Sequence, residues 1–409
     1  MGGVPDACWG PGAVAVTGVG LVTPGGTGVA GAWDAVCRGL PTARCDPELA
    51  GQPADLTCAV PDFDGDALLG RRLARRMDRV AQFAVVAARE AVAMAGLGGR
   101  TWPGERVAVL FGAGGSSFEG LTDAYPKLLA GRARAISPMT LPRSLPSAPA
   151  AEVALDLGVS GPGFATSAGC ASAPVAVGVG RDLLRSGTVD VVVAGGAESL
   201  RHPLAAAGFA QLGVVSRTAA RPFAADRDGF VPAEGAGVLV LESGAHACAR
   251  GAEVLAWLGG YGAAGDGHHV AAPHPDGVGA ERALRAALAA GGAEPCAVGH
   301  VNAHGAATRL NDRAEARALT RLLPHRPPVT ATKGALGHAG AGSGAIEAVV
   351  TVLSLRDQLI PPTAGLTGPD PEFTLDVVTG APRRAALRTA VSVSTALGGQ
   401  NAALLLLAA

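Results

Sequence analysis

The chain has 409 residues, of which 33 are basic and 34 acidic, giving a formal net charge of −1; 60 are glycine, 48% are hydrophobic and 4% aromatic. Balanced charge argues against nucleic acid as the main partner. No run of about 18 apolar residues escapes interruption by Gly, Pro or charge, so no membrane span is expected, and the length suits two average domains or one two-lobed unit.

The opening stretch MGGVPDACWGPG lacks the basic and apolar regions of a signal peptide, which makes a soluble, cytoplasmic protein the expectation. Seven cysteines, at 8, 37, 45, 58, 170, 248 and 296, form no CxxC pair and no Cys/His metal spacing. Neither a disulfide framework nor a metal site is expected. Only Lys127 and Lys333 are lysines, every other basic residue being arginine. A lysine that survives such a bias points to a specific need for an ammonium.

Apolar runs with the character of buried strands recur along the chain at 13–22, 106–112, 189–196, 235–242, 298–305, 390–395 and 402–408. Helical spacing spans 77–97, 171–185 and 279–290. Strands apolar on both faces, alternating with helices, predict an α/β fold whose sheets are covered on both sides. The Gly/His-rich segment GYGAAGDGHHVAAPHPDG (260–277) is the candidate junction between two halves. Their similar make-up suggests an internal duplication, without a residue-level repeat to prove it.

Four stretches carry chemistry. In ATSAGCASAPVAVGVG (165–180), Cys170 lies among residues too small to fill a core, just before a helix ending near Gly187. A helix N-terminus, with its unpaired N–H groups and positive dipole end, favours a thiolate. In NAHGAATRLNDRAEA (302–316), His304 follows a strand, and Asp312 and Glu315 come after a loop of small residues. TATKGALGHAGAGSGAIEAVV (330–350) places Lys333, then His338, before a glycine-rich turn into a helix. STALGGQNAALLLL (394–407) reads as strand, tight turn and strand. One thiol, two imidazoles, one rare ammonium and a backbone-exposing turn suit thioester chemistry, in which a thiolate attacks a carbonyl and N–H donors hold the oxyanion. Two histidines exceed what a simple hydrolase requires and suit a second carbonyl whose enolate must be held.

On these motifs the sequence resembles the β-ketoacyl synthases, the condensing enzymes of fatty acid and type II polyketide synthesis, over almost the whole chain. AVAVTGVGLVTPGG is similar to the family's first strand, GPGFATSAGCASA to its nucleophile motif and DVVVAGGAES to the strand after the nucleophile helix. RPFAADRDGFVPAEGAGVLVLE resembles the segment carrying an active-site phenylalanine, here Phe230. The resemblance implies a thiolase-like fold of two similar halves in α-β-α-β-α layers, with 1–255 carrying the nucleophile and 256–409 both histidine motifs. It further implies a Cys170, His304, His338 triad, Lys333 paired with Glu315, and an oxyanion hole from the N–H groups of Cys170 and Leu397. Phe230, Thr308, Thr395, Leu397, Gly398 and Gly399 are the implied substrate-binding residues.

The implied activity is decarboxylative condensation of an acyl group on Cys170 with malonyl-ACP. No metal or organic cofactor is expected, because phosphopantetheine arrives on the acyl carrier protein. The expected partners are that carrier and a second chain, identical or a chain-length subunit. Departures from the family pattern are Ala306 in HGAAT, Thr395 and Leu397 in TALGG where two phenylalanines are usual, and AGCAS around the nucleophile. With the Ala/Gly/Arg-heavy composition they favour secondary metabolism over housekeeping fatty acid synthesis. The alternatives are a non-catalytic chain-length subunit, against which Cys170 with both histidines counts, and a non-decarboxylating acyltransferase or hydrolase, against which His338 and Lys333 count.

Overall fold

A computed structural model describes residues 12–98, 102–115 and 118–409; residues 1–11, which hold most of the stretch read for a leader and Cys8, lie outside the described residues. Ten strands carry the architecture: β1 Val14–Thr23, β2 Val107–Gly112, β3 Gly163–Thr166, β4 Val191–Ser199, β5 Glu234–Ser243, β6 Ala256–Gly265, β7 His300–Asn302, β8 Pro328–Thr330, β9 Thr389–Thr395 and β10 Gln400–Ala408. Six helices pack on them: α1 Arg79–Met94, α2 Ala148–Leu157, α3 Ser172–Arg185, α4 Val278–Ala290, α5 Arg309–Leu322 and α6 Ser343–Asp357.

From one outer edge to the centre the strand order is β3-β2-β4-β5-β1, and from the other, inside the short strand Asp376–Val377, it is β8-β7-β9-β10-β6. Each strand of the second set therefore sits where the strand five earlier sits in the first. The senses match too: β2 runs parallel to β3 and β4, and β7 parallel to β8 and β9, while β4–β5 and β9–β10 are antiparallel. The two sets join through β1 and β6, which pair at Ala15↔Trp257 and Val16↔Ala256.

The apolar runs are explained by covering on both faces. Val109 and Phe111 of β2 and Val238 and Val240 of β5 share a core with α1, whereas Leu110, Leu239 and Leu241 face a second core with α3 and α6. In the other set, Leu404 and Leu406 of β10 join that same central core, and Ala403 and Leu405 pack with α4 and α5. Helix, sheet, helix, sheet, helix is the resulting stack, the expected thiolase-like α/β layering. Helix α6 lies in the middle layer, and Ser343 through Leu355 are all buried. A helix apolar nearly all round is a core helix.

The segment 260–277 is a different object from the junction expected. Residues 256–265 form β6 in the middle of the sheet, and only the remainder is loop. Its glycines serve packing: a Cβ on Gly260 would lie 2.0 Å from Ala287 O and one on Gly262 2.2 Å from Ala283 O, so α4 rests directly on the strand backbone. Gly18 and Gly20 of β1 do the same under α1, where a Cβ would meet Ala91 O at 2.0 Å and Ala87 O at 1.9 Å. Glycine read as a loop signal was here a close-approach signal. No described helix is long and apolar enough to cross a membrane.

Candidate active site

The segment after β3 turns sharply into α3, and Cys170 lies at that turn, two residues before the helix begins. Gly169 adopts φ +54°, the left-handed conformation the turn requires. Ser172 fastens it: its Oγ accepts from Ala168 N at 2.8 Å and donates to Gly169 O at 2.5 Å. Cys170 thus stands at a helix N-terminus, as its sequence context suggested, but burial pushes the thiol up to about 11, against the opposing pull of Lys333. The resting group is a thiol, so the dipole does not by itself yield a thiolate.

His304 follows β7 and His338 follows β8, both at the end of the sheet where Cys170 sits. His338 Nε2 lies 3.1 Å from Cys170 Sγ, and its ring meets that of His304 edge-on, with centroids 5.3 Å apart at 83°. Phe230 stacks edge-on against His338 at 5.0 Å. Burial, reinforced by Lys333, holds both imidazoles well below their ordinary value, so both are neutral at pH 7 and act as N–H donors.

Lys333 is fully buried and makes three hydrogen bonds: to His304 O at 2.7 Å, to His304 Nδ1 at 3.2 Å and to Glu347 Oε1. Three acceptors match the three N–H groups of an ammonium. His304 Nδ1 therefore accepts, and the ring's remaining proton lies on Nε2. The acidic partner of Lys333 is Glu347 on α6, not Glu315. Glu315 instead binds the backbone, accepting from His304 N at 2.7 Å and Gly305 N at 2.8 Å, which clamps a loop where Gly305 and Ala307 have φ +46° and +60°. The two carboxylates belong to different tasks because they come from different helices: α5 brings Glu315 to the N–H groups of the His304 loop, and α6 brings Glu347 to the Lys333 ammonium. Burial raises Glu347 to about 7 and Glu315 to about 8.

Above the thiol opens a cavity of about 470 Å³ lined by Cys170, His304, His338 and Phe230, with Phe209 and Val214 among its apolar walls. This is a usual size for a small-molecule site. Thr308, Thr395, Leu397 and Ala306 line it as well. Leu397, 39% exposed, sits in the turn between β9 and β10, which abuts the nucleophile turn: a Cβ on Gly169 would lie 3.0 Å from Ala396 Cβ. Gly398 and Gly399, at φ +85° and +70°, do not line the cavity; they shape that turn, and Gly399 O accepts from Asp266 N at 2.7 Å. Cys170 Sγ and one nitrogen from each histidine lie within 4.8 Å of one another, a spacing compatible with a metal. The ammonium of Lys333 beside His304 opposes a cation there.

A model of the β-ketoacyl synthase N-terminal domain matches residues 12–247, and one of its C-terminal domain matches 255–367. The chain belongs to the β-ketoacyl synthase family. It is 35% identical to 3-oxoacyl-[acyl-carrier-protein] synthase 2 of Staphylococcus aureus (strain COL), over 96% of this chain and 97% of that one. Its identity to the enzyme of the same name from Synechocystis sp. is 37%, over 96% and 97%. Among solved structures, the ishigamide ketosynthase/chain length factor superposes with TM-score 0.91 at 32% identity, covering 97% of this chain and 99% of that one. A type II PKS acyl-carrier protein in complex with its ketosynthase bound to the hexaketide gives TM-score 0.89 at 29% identity, covering 98% and 100%.

This β-ketoacyl synthase, an acyltransferase by family, thus brings the expected thiol and imidazoles around one cavity. Sequence reasoning missed three supports. Glu347 was visible only as a lone acid in an apolar helix. Ser343, whose Oγ lies 2.9 Å from His338 Nδ1, was hidden among small residues. Asn311 accepts a 2.6 Å hydrogen bond from Thr395 Oγ1, tying the β9–β10 turn to the first turn of α5. At the usual phenylalanine position this chain thus has a hydrogen-bonded latch. Nothing in the local sequence links residues 311 and 395.

Proposed function

We propose that the protein condenses an acyl group held on Cys170 with malonyl-ACP, releasing carbon dioxide and giving 3-oxoacyl-ACP. The observation that carries this is the convergence of the Cys170 thiol with two neutral imidazoles in one cavity, the two rings being the donors an enolate oxygen requires. In the first half-reaction the sulfur attacks the acyl thioester, and the thiol proton ends on the departing pantetheine sulfur. The N–H groups of Cys170 and Leu397 hold the oxyanion. In the second, His304 and His338 donate to the malonyl thioester oxygen as its carboxylate leaves as carbon dioxide, and the resulting carbon attacks the acyl carbonyl carbon and expels the Cys170 sulfur as a thiolate, which takes up a proton from water to restore the thiol. Lys333, charge-balanced by Glu347, fixes His304; Glu315 holds the His304 loop. Thr308 and the 395–399 turn flank the path of the phosphopantetheine arm.

The polyketide setting is supported by the solved relatives and by the replaced phenylalanines at 395 and 397. The acyl carrier protein is the proposed donor, with a second chain, identical or a chain-length subunit, as partner. Two exposed apolar features favour such a partner: edge strand β3 with Phe164, and the helix Phe118–Leu129 with Leu121, Tyr125 and Leu128. The repeated strand order supports reading 1–255 and 256–409 as duplicated halves. Incubation with malonyl-ACP decides the reaction class. Release of carbon dioxide, suppressed roughly 100-fold by His304→Ala, is expected; a protein that acylates on Cys170 without ever releasing it is an acyltransferase of another kind.

A further inference from the structure

Ser343 opens α6 and is buried, and its Oγ has two neighbours. It accepts from Ala339 N at 2.9 Å and lies 2.9 Å from His338 Nδ1. A hydroxyl offers one proton and two lone pairs. Ala339 N–H is necessarily a donor, so one lone pair is taken. Were Nδ1 protonated, it too would donate to Oγ, and the buried hydroxyl proton would have no acceptor among the described residues. Burying an unmade donor is the costlier arrangement. The proton therefore runs from Ser343 Oγ to His338 Nδ1.

The first half of the molecule holds the same device in an unambiguous form. Ser172 opens α3 as Ser343 opens α6, and its Oγ likewise accepts the N–H four residues earlier, from Ala168. Its own proton goes to Gly169 O, an atom that only accepts. In the second half an imidazole nitrogen takes the place of that carbonyl.

We propose that Ser343 is a positioning residue that fixes His338 as its Nε2–H tautomer and so aims an N–H donor at the atoms bound above Cys170. With Lys333 on His304 Nδ1, each imidazole has a donor on its far nitrogen and presents Nε2–H to the cavity. A hydroxyl serves one ring and an ammonium the other. The turn Ala339–Gly342, with Gly340 at φ +49°, returns the chain tightly enough to bring Ser343 back onto the ring. The functional consequence rests on the proposed decarboxylation; the tautomer itself does not.

The test is nitrogen-15 NMR of the full-length protein with labelled histidine, His338 being assigned by loss of its signals in His338→Ala. The wild type is expected to show Nε2 protonated and Nδ1 bare at pH 7. Ser343→Ala is expected to mix the tautomers and slow carbon dioxide release from malonyl-ACP about 10-fold, with acylation of Cys170 changed several-fold less; Ser343→Thr, which keeps the hydroxyl, should restore both readouts. A protonated Nδ1 in the wild type, or wild-type decarboxylation by Ser343→Ala, overturns the assignment. If Ser343→Ala does not fold, the wild-type tautomer decides. A wild type that never releases carbon dioxide defeats the reaction reading instead, and leaves the tautomer to judge Ser343.

Discussion

The two halves share a strand order but divide the chemistry unequally. After its third strand the first half delivers Cys170 at the start of α3; after its third strand the second delivers Lys333 and His338 ahead of α6. After the second strand, the first half has glycines whose N–H groups bind Glu198, Gly114 at 2.9 Å and Gly115 at 3.0 Å, where the second has His304. Between the fourth and fifth strands, the first half inserts the long segment bearing Phe230, the second a turn of a few residues bearing Leu397. One strand order fixes where a side chain emerges at the end of the sheet, and each set of strands fills those positions differently. The thiol comes from the first set of strands and both imidazoles from the second, so the proposed reaction needs both.

The division is broken most severely at the nucleophile. Cys170→Ala should abolish acyl transfer completely, with no acyl group on any other cysteine by mass spectrometry, while decarboxylation of malonyl-ACP persists because its donors lie in the other half. Acylation elsewhere on the chain would refute the nucleophile assignment.

Within the second half the two buried carboxylates should separate by role. Glu347→Gln leaves the Lys333 ammonium without its counter-charge and should destabilise the fold by about 3–5 kcal/mol. It should also depress decarboxylation, since Lys333 then holds His304 less firmly. Glu315→Gln retains one acceptor oxygen for the two loop N–H groups and should cost about 1–3 kcal/mol. Denaturant melts of the two variants, side by side, give the comparison; equal losses would deny Lys333 its preference for Glu347.

A third contrast is pH. His300, on the second strand of its half, is fully buried with neither ring nitrogen hydrogen-bonded among the described residues, and burial pushes it down to about 3. Its counterpart strand β2 is apolar throughout. Because protonation is easier in the unfolded chain, the stability this group contributes is present above its ordinary value near 6.5 and is lost as pH falls towards 3. His300→Leu should remove that loss, flattening the acid side by about 2 kcal/mol at pH 5 relative to pH 8. Urea midpoints at the two pH values check it, and an unchanged difference would show that His300 does not titrate this way.

The smallest expected effect concerns the turns between the fourth and fifth strands. Leu397→Phe should narrow acyl acceptance towards straight chains by about 1–3 kcal/mol of discrimination, read as the ratio of acylation rates for straight and branched acyl-ACP. An unchanged ratio would remove the Leu397 side chain from specificity.

The sequence by itself determined the covered α/β architecture, because strands apolar on both faces that alternate with helical spacing need cover on both sides. It also determined that Cys170 precedes a helix, that His304 and His338 follow strands, and that Lys333 is one of two lysines in a chain that otherwise uses arginine. These are local properties, written in periodicity and neighbouring residue types. Tertiary structure alone decided which carboxylate balances Lys333, that Thr395 latches to Asn311, and that Ser343 rather than solvent meets His338. It likewise decided that the glycines of 260–265 admit a helix instead of ending a domain. Each depends on which helix crosses which strand and in what register, and pairs such as 304 with 333 or 311 with 395 become neighbours only after the sheet has assembled. The repeat of strand order is the extreme case: two sets of five strands follow the same path through space with no residue-level repeat in the sequence to announce it.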